Sequence, residues 1–537
     1  MHTRARAHPP RQRVGALHDH PFSSFFSPAH LSLTSLSFCC HSLDVSQPGT
    51  RPSETAEKGR ERCAPGPVRR LSRVIAYSGG GSVWTAGALV SVLHAIFVQL
   101  VVNRVLPDPY MDEIFHVNQT RRWCSGAPWT GSRFARSEIV TSTLSRHSEW
   151  NPKITTPPGL YLLAFPLFCG RERLLNSVLI GLGLVAVARL RRISLGDKPL
   201  ATGLVVLLLP VLLHSSILFY TDLLSVLLIS AAFASGRWQA VLLFAASLLV
   251  RQTNIVWAAA WALLWIWRRL DIGQVGFSAT TASNDAHHSC LQPVRSFVLL
   301  SIRLWAFVLL ALGFGAFIVW NDYRIVLGDP EAHRPVWHLA QLSYFALFVG
   351  FTSWPLLLSW RHALLHSLQR RRFWLLLFVH AIMLGWFAYD HPYLLADNRH
   401  LTFYAWRRWL GKGVPYRLAL APLAALSTEV SPPFRPPSSP PISLQAILFG
   451  LDGDLAEPVV GVLATSAVLV PAHLLEPRYF IVSFVLWRLT IRRRIGWLAL
   501  VVELLWQVAT GASVIYLFLY RPFRWPHDPA DWQRFMW

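Results

Sequence analysis

The sequence has few charged residues, and its two charge signs are unequal. Charged side chains make up 15% of the 537 residues and hydrophobic ones 53%, whereas a typical soluble domain is about 25% charged. This composition excludes an ordinary soluble domain. Lysine and arginine outnumber the acids by 50 to 28. Because the basic residues stand in short clusters between apolar runs rather than along one polar face, we expect no nucleic-acid partner.

Cysteine is also scarce, and no internal repeat is detectable. The six cysteines are scattered and include the neighbours Cys39 and Cys40, a pattern with neither a metal-ligand spacing nor a convincing disulfide framework. We therefore expect the cysteines to be structural or incidental, and we expect no metal site and no cofactor. The lack of a repeat also disfavours a transporter built from two matching halves.

Apolar runs recur along the chain from about residue 84 onward. A helix needs about 20 apolar residues to cross the hydrocarbon core of a bilayer. The runs begin near Trp84, Pro158, Leu174, Leu200, Asp222, Trp238, Phe297, Trp337, Phe373, Tyr416, Pro458, Tyr479 and Ile495. This pattern predicts an all-α polytopic membrane protein with about 11–13 transmembrane helices.

Two stretches lack the pattern. Residues 1–74 mix proline, serine, histidine and arginine with one short, serine-rich apolar patch, and we interpret them as a disordered N-terminal extension that is not a signal peptide. The multi-span domain then covers residues 75–537. Within it, residues 429–441 include SPPFRPPSSPP, which cannot be helical in a bilayer because proline removes backbone donors. We interpret this segment as a cytoplasmic linker.

Basic clusters predict which side of the membrane each loop faces. The cluster at residues 69–73 precedes the first run, so the positive-inside rule holds the N-terminus in the cytoplasm and puts the following loop on the lumenal side. By the same rule, the clusters at 268–269 and 370–372 place segments 321–335 and 390–400 on the lumenal side. Three separate clusters therefore direct three polar segments to one face.

The polar segment after the first run carries two adjacent carboxylates. Asp112 and Glu113 stand in YMDEIFH, just beyond the apolar residues, with His116 close behind. A carboxylate outside a membrane span is a candidate for proton transfer. The alternative is that such acids act only as interfacial anchors.

Further polar groups interrupt or border the later runs. Arg251 lies within the run from Trp238 to Trp267, and an arginine at that depth is a functional candidate by default, the alternative being an ion pair used for packing. The candidate substrate-binding residues are His116, Thr155, Thr156, Arg251, Gln252, Asp329, His333, Asp397, Asn398, Arg399, His400, Glu476 and Arg478. Their convergence on one predicted face favours an enzyme site.

Seven motifs, in order, carry a family resemblance. They are PYMDEIFH, WNPKITTPPGLY, RQTNIVW, IVLGD, HPYLLADNRHLTFYAWRR, LLEPRYF and RFMW, between about residues 84 and 537. Together they resemble the dolichyl-phosphate-glucose α-1,2-glucosyltransferases of the endoplasmic reticulum, which are GT-C glycosyltransferases. The resemblance implies a GT-C fold with lumenal loops in the endoplasmic reticulum membrane. It also implies a dolichyl-phosphate-glucose donor and a diglucosylated dolichyl-diphosphate oligosaccharide acceptor, the precursor for N-glycosylation.

The resemblance also implies a mechanism. The donor is β-linked and the product α-linked, so a single displacement inverts the anomeric carbon and one base suffices. Asp112 is the favoured base, with Glu113 either a supporting acceptor or the base itself. The cations available to stabilise the leaving phosphate are Arg251, Arg399, His400 and Arg478, so a metal is unnecessary, although the two acids could bind one weakly. A transporter and a GT-C enzyme that uses dolichyl-phosphate-mannose remain the alternatives.

Overall fold

The first long helix precedes the carboxylate pair in the chain. The computed structural model describes residues 80–124, 150–151, 153–194, 196–277, 299–329, 333–360, 366, 368–430, 453–491 and 494–537. The predicted extension 1–74 and the predicted linker from residue 431 lie outside these residues. Helix α1 (Gly80–Phe97) continues through a π-helical turn (Val98–Val102) and Asn103–Val105. Together these residues form a helix that is long enough and apolar enough to cross a membrane.

The described chain is mostly helical, with two short strands near its end. After α1, the helices up to residue 277 are α2 (Asp112–Cys124), α3 (Gly159–Ala164), α4 (Glu172–Ile193), α5 (Pro199–Leu207), α6 (Pro210–Ile217), α7 (Asp222–Phe233), α8 (Arg237–Leu248) and α9 (Ile255–Phe277). The later ones are α10 (Trp305–Trp320), α11 (Ala340–Thr352), α12 (Trp354–Ser359), α13 (Arg371–Trp386), α14 (Pro392–Ala396), α15 (Leu401–Arg408), α16 (Val414–Leu418), α17 (Ala421–Val430), α18 (Gly453–Leu469), α19 (Ile481–Thr490) and α20 (Trp497–Tyr520). An all-α polytopic fold is confirmed.

Three described helices, α1, α4 and α20, are both long and apolar enough to cross a membrane. The pair α5 and α6, bent by 67° at the break before Pro210, would make a fourth span. Shorter apolar helices, of 10–17 residues, are α7, α10, α11 and the part of α18 from Glu457 to Leu469. The total of 11–13 spans stays a prediction.

Helix α4 lies at the centre of the main core. In its most apolar stretch 72% of residues are buried, against 22% in α1 and 28% in α20, so α4 is surrounded by protein while the other two border the outside. It packs along α1, α5 and α7. The close approach to α1 depends on Gly181, where an added Cβ would collide with the backbone oxygen of Gly87.

The two ends of α4 have different chemistry. At 1.5 Å per residue, its 22 residues span about 33 Å. Near its start, Arg173 reaches the loop that follows α1. Near its end, Arg191 donates to the carbonyl of Leu489 at 3.1 Å, and Lys198 follows just beyond. The end of α4 therefore lies among basic residues, whereas its start lies beside the carboxylate pair.

Residues 523–537 form an extended tail after α20. Strands β1 (Phe523–Trp525) and β2 (Asp528–Gln533) pair in antiparallel fashion, with Arg524 opposite Trp532 and an irregularity between Arg524 and Trp525. Beyond β2, Met536 forms a parallel bridge with His400. The tail is therefore attached to the segment that carries ADNRH.

Candidate active site

Glu113 is held by a buried ion pair at the start of α4. Its side chain is fully buried, and its two oxygens lie 2.7 and 2.6 Å from Nε and Nη2 of Arg173. The backbone N–H groups of Phe219 and Tyr110 donate to the same carboxylate at 2.9 and 3.1 Å. Both oxygens thus accept a charged and a backbone donor, an arrangement that fixes the side chain.

Arg173 also fixes the chain that leads from α1 to α2. Its Nη1 donates to Asn103 Oδ1 at 3.0 Å and to the Leu106 carbonyl at 2.6 Å, and its Nη2 donates to the Asp108 carbonyl at 3.1 Å. Just before α2, Met111 has a left-handed φ of 56°, which is uncommon for a non-glycine residue. This fixed turn sets the direction of the first residues of α2.

Asp112, the first residue of α2, is accessible. Its side chain is 43% exposed, and its Oδ2 lies 3.0 Å from Nη1 of Arg478. Burial would raise the pKa of the Asp112 carboxyl, but the charge and hydrogen bond of Arg478, together with His116 and His400, outweigh that effect and hold the pKa below its usual value. The carboxylate is therefore ionised at neutral pH and has a free side.

Arg478 is surrounded by acids and aromatic rings. Its Nε donates to Glu476, and its guanidinium carbon lies 5.2 Å from the ring centre of Tyr220 and 5.7 Å from that of Trp537. Burial disfavours the charge on Arg478, yet Glu476 and Asp112 outweigh it and raise its pKa. A permanent positive charge therefore lies beside Asp112.

A second arginine joins the site through the hairpin of α7 and α8. Arg251 Nη2 lies 2.9 Å from Oδ1 of Asp222, the first residue of α7, and its Nε donates to Thr221 Oγ1 at 3.1 Å. The other oxygen of Asp222 has no hydrogen-bond partner among the described residues. The Arg251 side chain is 19% exposed, so part of it remains open to a ligand.

The expectation that Arg251 lies deep within one long apolar run is wrong. The run from Trp238 to Trp267 is two helices, α8 and α9, separated by a turn that contains Arg251 and a short 3₁₀ segment (Gln252–Asn254). Asn254 stabilises the break because its buried amide donates to the Ser247 carbonyl at 3.0 Å. Arg251 therefore lies at a helix end, beside the start of α7.

Three predicted clusters meet at the Thr155 carbonyl. It accepts hydrogen bonds from Gln252 Nε2 at 2.7 Å and from the Leu327 N–H at 3.3 Å. Residue Gln252 belongs to RQTN and Leu327 to IVLGD. The return of the first loop thus lies against the turn that carries Arg251.

His116 forms a hydrogen bond with Tyr161, its Nδ1 lying 2.6 Å from the Tyr161 hydroxyl. The hydroxyl of Thr156 is buried and has no hydrogen-bond partner among the described residues. Burial lowers the pKa of His116 to about 4, although Asp112 acts against this. His116 is therefore neutral at physiological pH and fixes the α2 face near Asp112.

The ADNRH segment contacts the tail. Arg399 forms a bidentate pair with Asp397 at 2.8 and 2.7 Å, and its Nη1 donates to Gln533 Oε1 at 3.2 Å. Asn398 Oδ1 accepts from Trp525 Nε1 at 2.7 Å. His400 is the member nearest the site, because its Nδ1 lies 3.3 Å from the Trp537 carbonyl and its charge acts on Asp112.

Asp329 and His333 lie together at an exposed position. Asp329 Oδ2 accepts from Tyr393 Oη at 3.1 Å, and its carbonyl lies 3.2 Å from His333 Nδ1. The structure thus joins the IVLGD segment to the segment before ADNRH. Neither residue is in contact with Asp112 among the described interactions.

The sequence reasoning missed four residues of the site. Arg173, Tyr220, Asp222 and Trp537 complete the network around Asp112 and Glu113. Asp222 had a usable signal, since an acid inside an apolar stretch is a functional candidate. Among the described residues, no three His, Cys, Asp or Glu side chains lie close enough together to hold a metal ion.

A disulfide was missed as well. Cys124, the last residue of α2, is bonded to Cys169, 45 residues later and shortly before α4. The expectation that the cysteines form no disulfide framework is therefore wrong for this pair. Spacing could not reveal it, because the partners meet only through the packing of α2 and α3 near the start of α4.

The fold and the site together define a polytopic helical membrane protein with an accessible carboxylate paired to an arginine. Residues 141–489 match the DIE2/ALG10 family, and the chain belongs to that family.

Curated relatives match over most of the chain. Proteins from Mus musculus and Homo sapiens are 29% and 28% identical, each over 85% of this chain and 99% of their own length. One from Yarrowia lipolytica is 27% identical over 84% of this chain and 97% of its length. All three are named Dol-P-Glc:Glc(2)Man(9)GlcNAc(2)-PP-Dol alpha-1,2-glucosyltransferase. No solved structure matches this chain.

Proposed function

We propose that the protein transfers glucose from dolichyl-phosphate-glucose to the terminal glucose of the diglucosylated dolichyl-diphosphate oligosaccharide, forming an α-1,2 linkage. The observation that carries this assignment is the accessible Asp112 carboxylate 3.0 Å from Arg478. A base and a fixed cation side by side suit a displacement in which a hydroxyl attacks and a phosphate leaves. The family and its relatives supply the identity of donor and acceptor.

Asp112 acts as the general base. Its carboxylate accepts the proton of the acceptor 2-hydroxyl while that oxygen attacks the anomeric carbon of the donor glucose. The bond from this carbon to the phosphate oxygen breaks, and dolichyl phosphate leaves with the bonding electrons. Because attack and departure take place on opposite faces, the β-linked donor gives an α-linked product. Asp112 then releases its proton to water.

Glu113 positions Asp112 rather than acting as the base. Its full burial and bidentate pair with Arg173 support this assignment. A base must reach the proton that it removes, and Asp112 is the accessible member of the pair.

Positive charge stabilises the leaving phosphate. Arg251 and Arg478 are both partly exposed, at 19% and 17% of their side chains, and both belong to the cluster around Asp222. An arginine recognises phosphate through paired N–H donors. His400 and Glu476 help to hold Arg478 and the adjacent tail in place, whereas Arg399 is engaged with Asp397 and Gln533.

The site faces the lumen of the endoplasmic reticulum. Two observations support this orientation. The disulfide between Cys124 and Cys169 belongs to the same loop region as Asp112, and disulfides persist in oxidising compartments. At the other end of the bundle, Arg191 and Lys198 belong to a basic set, which the positive-inside rule assigns to the cytoplasm.

Purified protein in detergent tests the assignment. It is supplied with the diglucosylated lipid-linked acceptor and either dolichyl-phosphate-glucose or dolichyl-phosphate-mannose, and the products are separated by mass. We expect a gain of one hexose only with the glucose donor. Transfer from the mannose donor instead would reassign the donor, and transfer from neither, with substrate movement across vesicles, would favour a transporter.

A further inference from the structure

Trp537 lies inside the site although it belongs to the tail. Only 3% of its surface is exposed. Its ring centre is 5.7 Å from the Arg478 guanidinium and 4.3 Å from the ring of His214, and it meets the Tyr220 ring edge to face at 6.4 Å. Trp537 and Tyr220 thus form two aromatic sides of the space that holds Arg478.

The tail is held by the ADNRH segment at several points. Asn398 accepts from the Trp525 indole at 2.7 Å, and Arg399 donates to Gln533 at 3.2 Å. Closer to the site, the Met536 N–H donates to the Arg399 carbonyl at 2.7 Å, and the Leu401 N–H donates to the Met536 carbonyl at 3.1 Å. These hydrogen bonds fix the chain on both sides of β2. They therefore restrict where the Trp537 side chain can lie.

Arg534 attaches the same tail to the chain that carries Asp112. Its Nη1 donates to the carbonyls of Phe518 and Leu519, at 2.9 and 2.7 Å, and so caps the C-terminal end of α20. Its backbone N–H donates to Tyr110 Oη at 2.8 Å, two residues before Asp112. The tail therefore contacts Arg478 through Trp537 and bonds to Tyr110 in the segment that leads into Asp112.

An arginine side chain has many rotamers and holds one position only when its surroundings restrict it. Aromatic rings beside a guanidinium attract the cation while leaving its N–H groups free for acids. Here Asp112 lies at Nη1 and Glu476 accepts from Nε. Removing one ring would let Arg478 turn away from Asp112.

We infer that Trp537 is a positioning residue that holds Arg478 against Asp112, and that the ADNRH segment serves the reaction by anchoring the tail. The inference rests on the proposed function, in which Asp112 is the base. It assigns to Asn398 and Arg399 an anchoring task in place of direct phosphate binding. Trp537 and the hydrogen bonds that anchor it thereby become part of the catalytic architecture.

The test is the pH dependence of kcat/KM for Trp537→Ala in the full chain. The titratable and charged groups that interact with Asp112 are Arg478, His116, His400, Tyr161 and Tyr220. When Arg478 turns away, burial raises the pKa of Asp112, so the acid limb of the profile moves to higher pH. We expect that shift together with a loss of roughly 10- to 100-fold in kcat/KM, the scale of a misplaced catalytic group.

Two variants keep the test specific. Trp537→Phe retains an aromatic ring and is expected to recover most of the rate and the wild-type acid limb. Trp532→Ala removes a tail tryptophan that is 53% exposed, and it is expected to leave both unchanged. Asn398→Ala is the substitute if Trp537→Ala does not fold. It removes the hydrogen bond from the Trp525 indole, and it is expected to move the acid limb to higher pH by a smaller amount than Trp537→Ala.

Two results would overturn the inference. One is a Trp537→Ala or Asn398→Ala enzyme with the wild-type acid limb and rate. The other is a lowered rate with an unshifted limb that Trp537→Phe does not restore, which is the pattern of a merely structural side chain. A wild-type rate in Asp112→Asn would instead count against the proposed base, so the two failures are distinguishable.

Discussion

At the scale of single residues, two neighbouring carboxylates have opposite environments. Successive helical residues point about 100° apart, so Asp112 turns towards Arg478 while Glu113 turns into the packing against α4. The sequence could predict that this pair matters, because acids at the end of an apolar run are costly. It could not distinguish the two, since their difference arises from Arg173 and the Phe219 N–H, far away in the sequence.

Replacing Glu113 by glutamine should lower stability. The change leaves Arg173 buried without its counter-charge, and breaking a buried ion pair in this way costs about 3–5 kcal/mol. The thermal unfolding temperature in detergent measures the loss. Arg121→Ala is the matched control, because the Arg121 side chain is 53% exposed in its pair with Glu172 and Glu172 keeps the Gly170 N–H as a donor, so the loss should be smaller. Equal unfolding temperatures for the two variants would contradict the positioning role.

Replacing Arg251 by alanine should weaken use of the donor. The apparent KM for dolichyl-phosphate-glucose should rise, and Arg251→Lys should restore it only in part because lysine lacks the paired N–H geometry. Steady-state kinetics at saturating acceptor measures both variants. An Arg251→Ala enzyme that is less stable but has the wild-type KM would show that its pair with Asp222 serves packing alone.

At the scale of elements, hydrophobic patterning predicted where most helices begin. Runs expected near Leu200, Asp222 and Trp238 correspond to α5 at Pro199, α7 at Asp222 and α8 at Arg237. The pattern failed where side-chain hydrogen bonds overrule hydropathy, as at Asn254, whose amide ends α8 within a continuous apolar run. It also failed at α3, which has only six residues.

The sequon at Asn118 should remain without a glycan. Asn118 is exposed on α2, but Gln119 and Thr120 are buried and the Thr120 hydroxyl donates to the His116 carbonyl at 2.9 Å. The sequon also follows closely on the predicted first span and lies within a few residues of Asp112, which a glycan would obstruct. Glycosidase treatment should therefore cause no mobility shift.

A positive control is a sequon engineered near Ser142, further along the same loop. Its modification would establish that the loop is lumenal and the Asn118 sequon unused. A shift that disappears with Asn118→Gln would mean that this part of α2 is more open than a wall of the active site.

At the scale of the whole molecule, the site is assembled by contacts between distant segments. Asp112 meets Arg478, Arg251 meets Asp222, and the ADNRH segment meets the tail. Charge patterning could predict that these segments share one face. It could not predict which pairs touch, because that depends on how the helices pack around α4.

Removing residues 1–72 should leave glucose transfer intact. These residues lie outside the described part of the chain, and among the described residues the network around Asp112 is formed by residues from Asn103 onward. The truncated protein retains Arg73 ahead of the first span, so its orientation should persist. Transfer assays on the inserted truncation measure the effect, and an inserted but inactive protein would assign the extension a role in the reaction.

The central claim is that Asp112 is the base of an inverting glucose transfer. The most direct measurement is the single-turnover rate of Asp112→Asn beside Glu113→Gln, with NMR assignment of the new linkage in the wild-type product. An amide cannot accept the hydroxyl proton, so we predict an α-1,2 linkage and a fall of about 10²- to 10⁴-fold for Asp112→Asn, with a smaller fall for Glu113→Gln. A wild-type rate in Asp112→Asn, or a larger loss in Glu113→Gln, would contradict the account.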